Sequence, residues 1–293
     1  MTQAPEPARY EVLAVRYGTR LTRKSEVFLH YELYGEPDAQ TQMDYFFWIA
    51  RSSERTVLID CGFNERSGPR RGRTMLCPPV SALERLGIAP DDVGLLIATH
   101  AHYDHIGNLG LFPAAELILA EREYDFWTGP LGSRPLFAAF AEPDDLSVLR
   151  QARQAGRIRL VGGRQRITDG IEVIEVGGHT PGQLIVLVRT DRGEAVIASD
   201  ALHYYEEMDL DRPFAHVADL PAMYAGFGLL RDLAVGGARE IVAGHDPDVM
   251  RRFPDAADAT DATDATDAMA IARGTMNRRR MRGRGTMRRW SGA

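Results

Sequence analysis

The stretch that decides the fold is Thr99-His100-Ala101-His102-Tyr103-Asp104-His105, which packs three histidines and an aspartate into six residues. It directly follows Val93-Gly94-Leu95-Leu96-Ile97-Ala98, whose unbroken apolar character is typical of a buried strand. Side chains two residues apart in extended backbone point to the same side, so His100 and His102 share one face. Because crowding so many ionisable groups without an ion would be costly, the stretch predicts a divalent metal site at a strand end.

The composition is that of a globular protein. The chain has 293 residues, 44% of them hydrophobic and 26% charged, enough for one large domain or two small ones. No stretch reaches the roughly 18 apolar residues of a membrane span, and the polar start lacks the features of a signal peptide. Cys61 and Cys77 form neither a ligand pair nor a disulfide framework, so we expect both to be reduced and buried, in a cytoplasmic protein.

The charge is unevenly distributed along the chain. Residues 268–293 contain eight arginines and no acidic residue. Because the whole chain has a net charge of −6, the part before them has a net charge of −14. An acidic body argues against nucleic acid as the main substrate. Asp-Ala-Thr occurs three times over 258–266, which predicts disorder. We therefore expect a folded domain over 1–254 and a disordered, low-complexity, Arg-rich tail over 255–293, which is either an unselected extension or a binder of an anionic surface or nucleic acid.

Groups of strands alternate with helices twice along the body. The predicted strands are 10–18, 43–50, 56–60, 93–98, 116–120, 158–161, 171–176, 184–190, 195–199 and 240–243. The predicted helices are 79–87, 121–127, 144–155 and 220–234. Residues 19–42 and 64–74 are expected to be surface loops, and the interrupted segment 128–156 a lid or pocket wall. The pattern predicts two similar halves that pack sheet on sheet with helices outside.

Further metal-ligand side chains recur at the ends of the other strands. Asp60 ends the third predicted strand, and His179, Asp200 and His245 each follow a later one. Taken alone, each of these residues is more often a turn residue than a ligand. Together with the first motif, they place metal-ligand side chains at the same end of successive strands. His30 and His216 lack that setting, and we expect them to be surface residues.

This set of residues resembles the metallo-β-lactamase superfamily over about residues 10–253. The resemblance implies an α/β (α+β) fold, an αββα sandwich of two mixed β-sheets flanked by helices, with metals at one edge of the sheets. It further implies two Zn²⁺ ions per chain, with other divalent metals left open. The first ion would be held by His100, His102 and His179, the second by Asp104, His105 and His245, with Asp200 as the bridge and Asp60 as a supporting residue.

Within the superfamily, the sequence is most similar to N-acyl homoserine lactonases. The similarity lies in residues 60–63, 99–108, 178–180 and 199–205. It implies that a metal-bridging hydroxide opens a lactone ring and that Asp104 passes a proton to the leaving group. His102 stands where the di-iron flavoproteins of the superfamily usually carry Glu, which favours zinc hydrolysis over iron redox chemistry.

One position departs from the lactonase pattern. Those enzymes place a tyrosine three residues after the bridging aspartate, where its hydroxyl assists at the lactone carbonyl. Here that position is His203, followed by Tyr204 and Tyr205. Either His203 or one of the tyrosines takes this catalytic role, unless both tyrosines only pack the pocket wall. Tyr205 and Phe47 are our candidates for substrate binding, with core packing as the alternative for such aromatic residues.

Other functions stay open at this point. A related hydrolase of another ester, amide or thioester is the first alternative, and a non-catalytic binding protein on the same fold is the second. A phosphodiesterase is less favoured because no basic cluster is evident beside the metal motifs in the sequence. We expect a small-molecule substrate, no nucleic acid as substrate and no membrane span, and we leave open whether the protein forms a homodimer.

Overall fold

The structure is a computed structural model that describes residues 8–253 and 270–273. Its strands are β1 (Glu11–Arg23), β2 (Gln40–Arg51), β3 (Thr56–Ile59), β4 (Thr74–Met75), β5 (Leu95–Ile97), β6 (Glu116–Ala120), β7 (Ile158–Val161), β8 (Arg164–Thr168), β9 (Ile171–Glu175), β10 (Leu184–Thr190), β11 (Gly193–Ser199), β12 (Arg239–Ala243) and β13 (Ala270–Arg273). Its α-helices are α1 (Lys24–Val27), α2 (Ser67–Arg70), α3 (Pro79–Arg85), α4 (Tyr103–Ile106), α5 (Glu121–Thr128), α6 (Pro135–Ala138), α7 (Pro143–Gln154), α8 (Tyr205–Leu210), α9 (Leu220–Ala234) and α10 (Asp248–Arg252).

The strands form two mixed sheets. The first has the order β13-β1-β2-β3-β5-β6-β7, with β4 also paired to β1, and the second has the order β12-β11-β10-β9-β8. In the first sheet β3, β5, β6 and β7 are parallel and the others antiparallel. In the second sheet only the β11–β12 pair is parallel. Two mixed sheets flanked by helices confirm the fold class that the sequence predicts.

Strand β2 shows how the layers are built, because both of its faces are buried. Phe46 and Trp48 belong to the core that includes residues of β10, β11 and α9. Tyr45 and Phe47 alternate with them and belong to a second core, with residues of α3 and α7. One face of the first sheet therefore packs on the second sheet and the other face packs on helices, which is why β2 is almost continuously apolar.

A buried carboxylate ties together two loops that belong to different sheets. Glu123, on α5, accepts hydrogen bonds from the backbone N–H groups of Ala101 and Gly182, each at 2.9 Å. It also accepts one from the indole Nε1 of Trp127 at 2.6 Å. Burial raises the pKa of Glu123, and the hydrogen bonds oppose that rise by stabilising its charged form. The loop after β5 and the loop after β9 are thus held at a fixed distance from each other.

Several segments differ from the sequence predictions. The predicted surface loop 19–42 was wrong at both ends, since β1 continues to Arg23 and β2 begins at Gln40. These polar ends pair with each other across the hairpin, and sequence alternation alone does not reveal that pairing. Strand β8 was not predicted because its residues are mostly polar and exposed. Residues 64–74 contain α2 and part of β4, which pairs with β1, so this segment is not a free loop.

The predicted tail, residues 255–293, contains one described strand. Strand β13 lies inside the segment 255–293, for which the sequence predicts disorder, and it pairs antiparallel with β1. The rest of that segment lies outside the described residues. Among the residues that are described, no helix is long and apolar enough to cross a membrane. Both cysteines are free and buried, as expected.

We predict that Glu123→Ala destabilises the protein by about 3 kcal/mol, because it leaves three buried donors without their acceptor. The free energy of unfolding in urea measures this change. Glu121→Ala is the matched control, since Glu121 lies exposed in the first turn of the same helix. Similar, small losses for both variants would show that the Glu123 carboxylate does not anchor the two loops.

Candidate metal centre

The ends of four strands converge at one edge of the two sheets. His100 and His102 follow β5, and His179 lies four residues after the end of β9. Asp200 directly follows β11, and His245 lies two residues after β12. The two sheets are joined here by a backbone hydrogen bond from Leu184 N to Thr99 O, 2.8 Å. This convergence brings together seven side chains that the sequence predicts as ligands: His100, His102, Asp104, His105, His179, Asp200 and His245.

The carboxylate of Asp200 lies at the middle of the cluster. Its Oδ1 is 3.2 Å from the Nε2 atoms of both His105 and His245. Its Oδ2 is 3.3 Å from Nε2 of His179 and 3.9 Å from Nε2 of His100. The two oxygens thus face two different groups of histidines, which fits a carboxylate shared by two ions.

Several ring nitrogens at this centre are buried without a hydrogen-bond partner. They are the Nε2 atoms of His100, His105, His203 and His245 and the Nδ1 atom of His203. Orphaned buried polar atoms are rare in folded proteins and call for an explanation such as a bound ion. Three groups of side chains are compact enough to hold a cation and use the predicted ligands: His100, His102 and His179; Asp104, His105 and His245; and His100, His105 and Asp200. The residues present therefore fit the metal ions that the sequence predicts.

The outward-facing nitrogens of the histidines are hydrogen bonded. His105 Nδ1 donates to Asp60 Oδ2 at 2.7 Å. His179 Nδ1 donates to the backbone oxygen of His216 at 2.8 Å, and His245 Nδ1 to that of Asp44 at 2.7 Å. A proton held at Nδ1 leaves the lone pair on Nε2, which is the arrangement of metal-ligating histidines.

The pKa shifts of His100, His102, His179 and Asp200 agree with that arrangement, whereas the pKa of His105 is shifted toward its charged form. Burial disfavours a charged imidazole and holds the pKa of His100, His102 and His179 well below the usual value. Burial alone would also lower the pKa of His105, but the carboxylates of Asp200 and Asp60 outweigh it and raise that pKa. Burial would raise the pKa of Asp200, yet the surrounding imidazoles bring it well below its usual range. Near neutral pH, an ionised carboxylate thus faces three neutral imidazoles, the forms that bind metals.

Comparison with known proteins agrees with the fold and with this cluster. The family model of the metallo-beta-lactamase superfamily matches residues 44–245, which include every predicted ligand. The chain belongs to the metallo-beta-lactamase superfamily. Among its relatives, an N-acyl homoserine lactonase of a Bacillus species is 24% identical over 226 residues, covering 72% of this chain and 84% of the relative. The N-acyl homoserine lactonase AttM of Azorhizobium caulinodans is 30% identical over 185 residues, covering 60% and 67%.

Solved structures show the same fold. A quorum-quenching N-acyl homoserine lactone lactonase superposes with a TM-score of 0.70 at 21% identity, over 83% of this chain and 95% of the other. With this family membership and these lactonase relatives, the protein is a metal-dependent hydrolase.

His203, Tyr204 and Tyr205 lie where the sequence departs from the lactonase pattern, and their side chains point in different directions. His203 is fully buried, and its Nε2 lies 3.0 Å from Oδ2 of Asp200. Tyr204 donates its hydroxyl to the backbone oxygen of Gln42 at 3.1 Å, and Tyr205 donates its hydroxyl to that of Ile241 at 3.2 Å. Of these three side chains, only that of His203 faces the cluster.

A cavity opens beside the cluster. Neither Phe47 nor Tyr205, the two residues predicted to bind substrate, lies in its wall. Phe47 is fully buried with its ring 5.8 Å from that of Tyr17, because it lies on the helix-facing side of β2. Tyr205 packs into the other core and lines a separate surface cleft. The structure therefore does not bring Phe47 or Tyr205 to this cavity, and hydrophobicity alone does not distinguish a core face from a pocket wall.

The cavity is instead lined by residues from distant parts of the chain. Phe140 lies within 128–156, the segment predicted to form a pocket wall. His216 is exposed, as predicted, and its ring also lines the cavity, with its centroid 4.3 Å from that of Phe140. His102, Asp104, His179 and Asp200 also line it. The full lining is Arg20, Glu26, Val27, Met43, Tyr45, Arg73, His102, Tyr103, Asp104, Phe140, His179, Asp200, Phe214 and His216. Sequence patterns carried no signal for most of these residues, because each is isolated in its own segment.

We predict that Asp60→Asn weakens zinc binding about 10- to 100-fold. The amide lacks the charge of the carboxylate that accepts the hydrogen bond of His105 and holds this ring in its ligating orientation. Competition with a chromophoric chelator measures the affinity, and circular dichroism checks that the variant is folded. Asp91→Asn, at an exposed position, is the control. Unchanged zinc affinity in Asp60→Asn would contradict a supporting role for this carboxylate.

Proposed function

We propose that this protein is a dinuclear zinc hydrolase that opens the ring of a lactone. The observation that carries the proposal is the convergence of four predicted histidine ligands, His100, His105, His179 and His245, on the two oxygens of Asp200, with the Nε2 atoms of three of them left without a hydrogen-bond partner. The named activity of the relatives makes N-acyl homoserine lactones the first class of substrate to assay.

Seven side chains would hold the two ions. His100, His102 and His179 would bind the first, Asp104, His105 and His245 the second, and Asp200 would bridge them. Zinc ions bound there would lower the pKa of water to near neutrality and polarise a carbonyl group. Burial of the ligands, each less than a tenth exposed, keeps the centre in a medium of low polarity, where such electrostatic effects are strong.

Asp104 is placed to move the proton of the reaction. Its carboxylate lines the cavity and lies 4.0 Å from Nε2 of His105. In the proposed reaction, water adds to the lactone carbonyl carbon and gives its proton to Asp104. The ring carbon–oxygen bond then breaks, and Asp104 returns the proton to the leaving alkoxide, so that a hydroxy acid is released.

His203 is the residue placed to stabilise the substrate carbonyl oxygen. Its Nε2 reaches the centre beside Asp200, and its Nδ1 lies 3.3 Å from Oε1 of Glu207 on the other side of the ring. Its ring also stacks on Phe214 with centroids 3.7 Å apart, so the donor is held in one orientation. A fixed donor aimed at developing negative charge is a strong catalytic element.

The first experiment is elemental analysis of protein purified without chelator, together with pH-stat assay of N-acyl homoserine lactones of several chain lengths. We expect about two zinc ions per chain and release of acid. Removing the metal with a chelator should abolish turnover, and added zinc should restore it. Two zinc ions without turnover of any lactone would move the assignment to another ester, amide or thioester. Protein that holds no metal would overturn it.

We predict that His203→Phe lowers kcat about 100-fold while the zinc content stays unchanged, because it removes a donor and not a ligand. Tyr204→Phe should stay within about twofold of the parent, since its hydroxyl is turned toward Gln42. Steady-state assay and elemental analysis of both variants provide the test. An equal loss of activity in Tyr204→Phe would return the role to the tyrosine, and loss of zinc from His203→Phe would show that His203 is a ligand.

A further inference from the structure

Two guanidinium groups lie in the wall of the cavity beside the metal centre. Arg20 and Arg73 line the same cavity as the candidate ligands Asp104 and Asp200. Arg20 forms an ion pair with Glu26, which also lines the cavity. Within the described part of the chain, Arg73 has no carboxylate partner. Among the described residues, Arg73 thus lies in the cavity wall outside any ion pair, and the remaining acidic side chains of the lining, Asp104 and Asp200, are candidate metal ligands.

Arg73 is held in place by neutral groups. Its Nε donates to the hydroxyl of Tyr103 at 3.1 Å, and its Nη1 donates to the backbone oxygen of Arg71. The guanidinium carbon lies 6.0 Å from the ring centroid of Tyr45. These contacts fix the orientation of the group without neutralising its charge. Since Nη2 makes no hydrogen bond to the described residues, a donor stays free for a ligand.

The cavity beside Arg73 is small. Its volume is about 40 Å³, and Arg73 shares its lining with His102, Asp104, His179 and Asp200. An anionic group bound at Arg73 would therefore lie in the same cavity as these candidate ligands.

We propose that Arg73 binds an anionic group of the substrate, a carboxylate or a phosphate, and that the protein prefers small anionic lactones to neutral acylated ones. This proposal rests on the proposed lactonase function and names the substrate class for it. A planar guanidinium with a free donor suits either oxyanion, and charge-assisted hydrogen bonds are the strong ones. Bound zinc ions would also attract the anion. The position of Arg73 relative to those ions therefore determines where on the substrate the charged group must be attached.

Three matched lactones test the proposal with the zinc-loaded protein. Each is a γ-butyrolactone, with a carboxylate, a carboxamide or a phosphorylated hydroxymethyl group on the ring. We expect kcat/KM for at least one charged lactone to exceed that for the carboxamide by about tenfold or more. A higher value for the phosphate than for the carboxylate identifies phosphate as the anion, and the reverse identifies carboxylate.

The variants separate charge recognition from a structural role. Arg73→Gln should lower kcat/KM for the charged lactones about tenfold, chiefly through KM, and leave the carboxamide within about twofold. Arg73→Lys should retain part of the preference. Arg66→Gln is the control in the same segment, because Arg66 is 80% exposed and lies outside the cavity lining. Equal rates for charged and neutral lactones in the parent, or an equal loss for both in Arg73→Gln, would overturn the proposal.

Binding keeps the test independent of turnover. If no lactone is opened, the proposed function fails, and calorimetric titration with glutarate then tests Arg73 alone. Affinity about tenfold weaker in Arg73→Gln than in the parent, both loaded with zinc, would support the anion site. Equal affinity in the two proteins would overturn it.

Discussion

The metal centre depends on one buried carboxylate that is not itself a predicted ligand. Asp60 has no exposed surface, and its two oxygens accept hydrogen bonds from the backbone and hydroxyl of Thr99, both at 2.8 Å. Its Oδ2 also accepts from His105 Nδ1 at 2.7 Å and from Ser199 Oγ at 3.3 Å. Thr99 follows β5 and Ser199 ends β11, so this side chain joins the first sheet to the second. Together with the Leu184–Thr99 backbone hydrogen bond and the Glu123 carboxylate, it fixes the edge at which the ligands meet.

Backbone strain is concentrated at the same place. Asp60 and Ser199 both have left-handed backbone conformations, with φ of 58° and 47°. Such conformations are unfavourable for residues other than glycine and persist only where the surroundings determine them, as the hydrogen bonds around Asp60 do. The strain turns the chain sharply at the end of β3 and at the end of β11, which aims Asp200 into the cluster.

The sequence predicted the parts of this molecule that have a local signal. Buried strands such as β5 and β10 are continuous apolar runs, and the ligands follow such runs directly, so both the αββα layers and the clustering of seven side chains were accessible. Phe47 and Tyr205 were misplaced because an apolar residue carries no mark of which layer it faces. Arg73 and His216 were missed because their importance comes from where other segments bring them. A single charged residue in a loop has no pattern of its own.

The edge strand β13 has a consequence for how the protein meets its neighbours. An open edge of a sheet presents unpaired backbone groups that can recruit a strand from another molecule. In this protein Leu13 to Arg16 of β1 are paired to residues 270–273 of the same chain, in register from Arg273 to Ala270. The chain thus occupies its own sheet edge with a late segment. Residues 13–16 of β1 are therefore closed to a strand from another molecule, and on this side the edge of the first sheet is β13 itself.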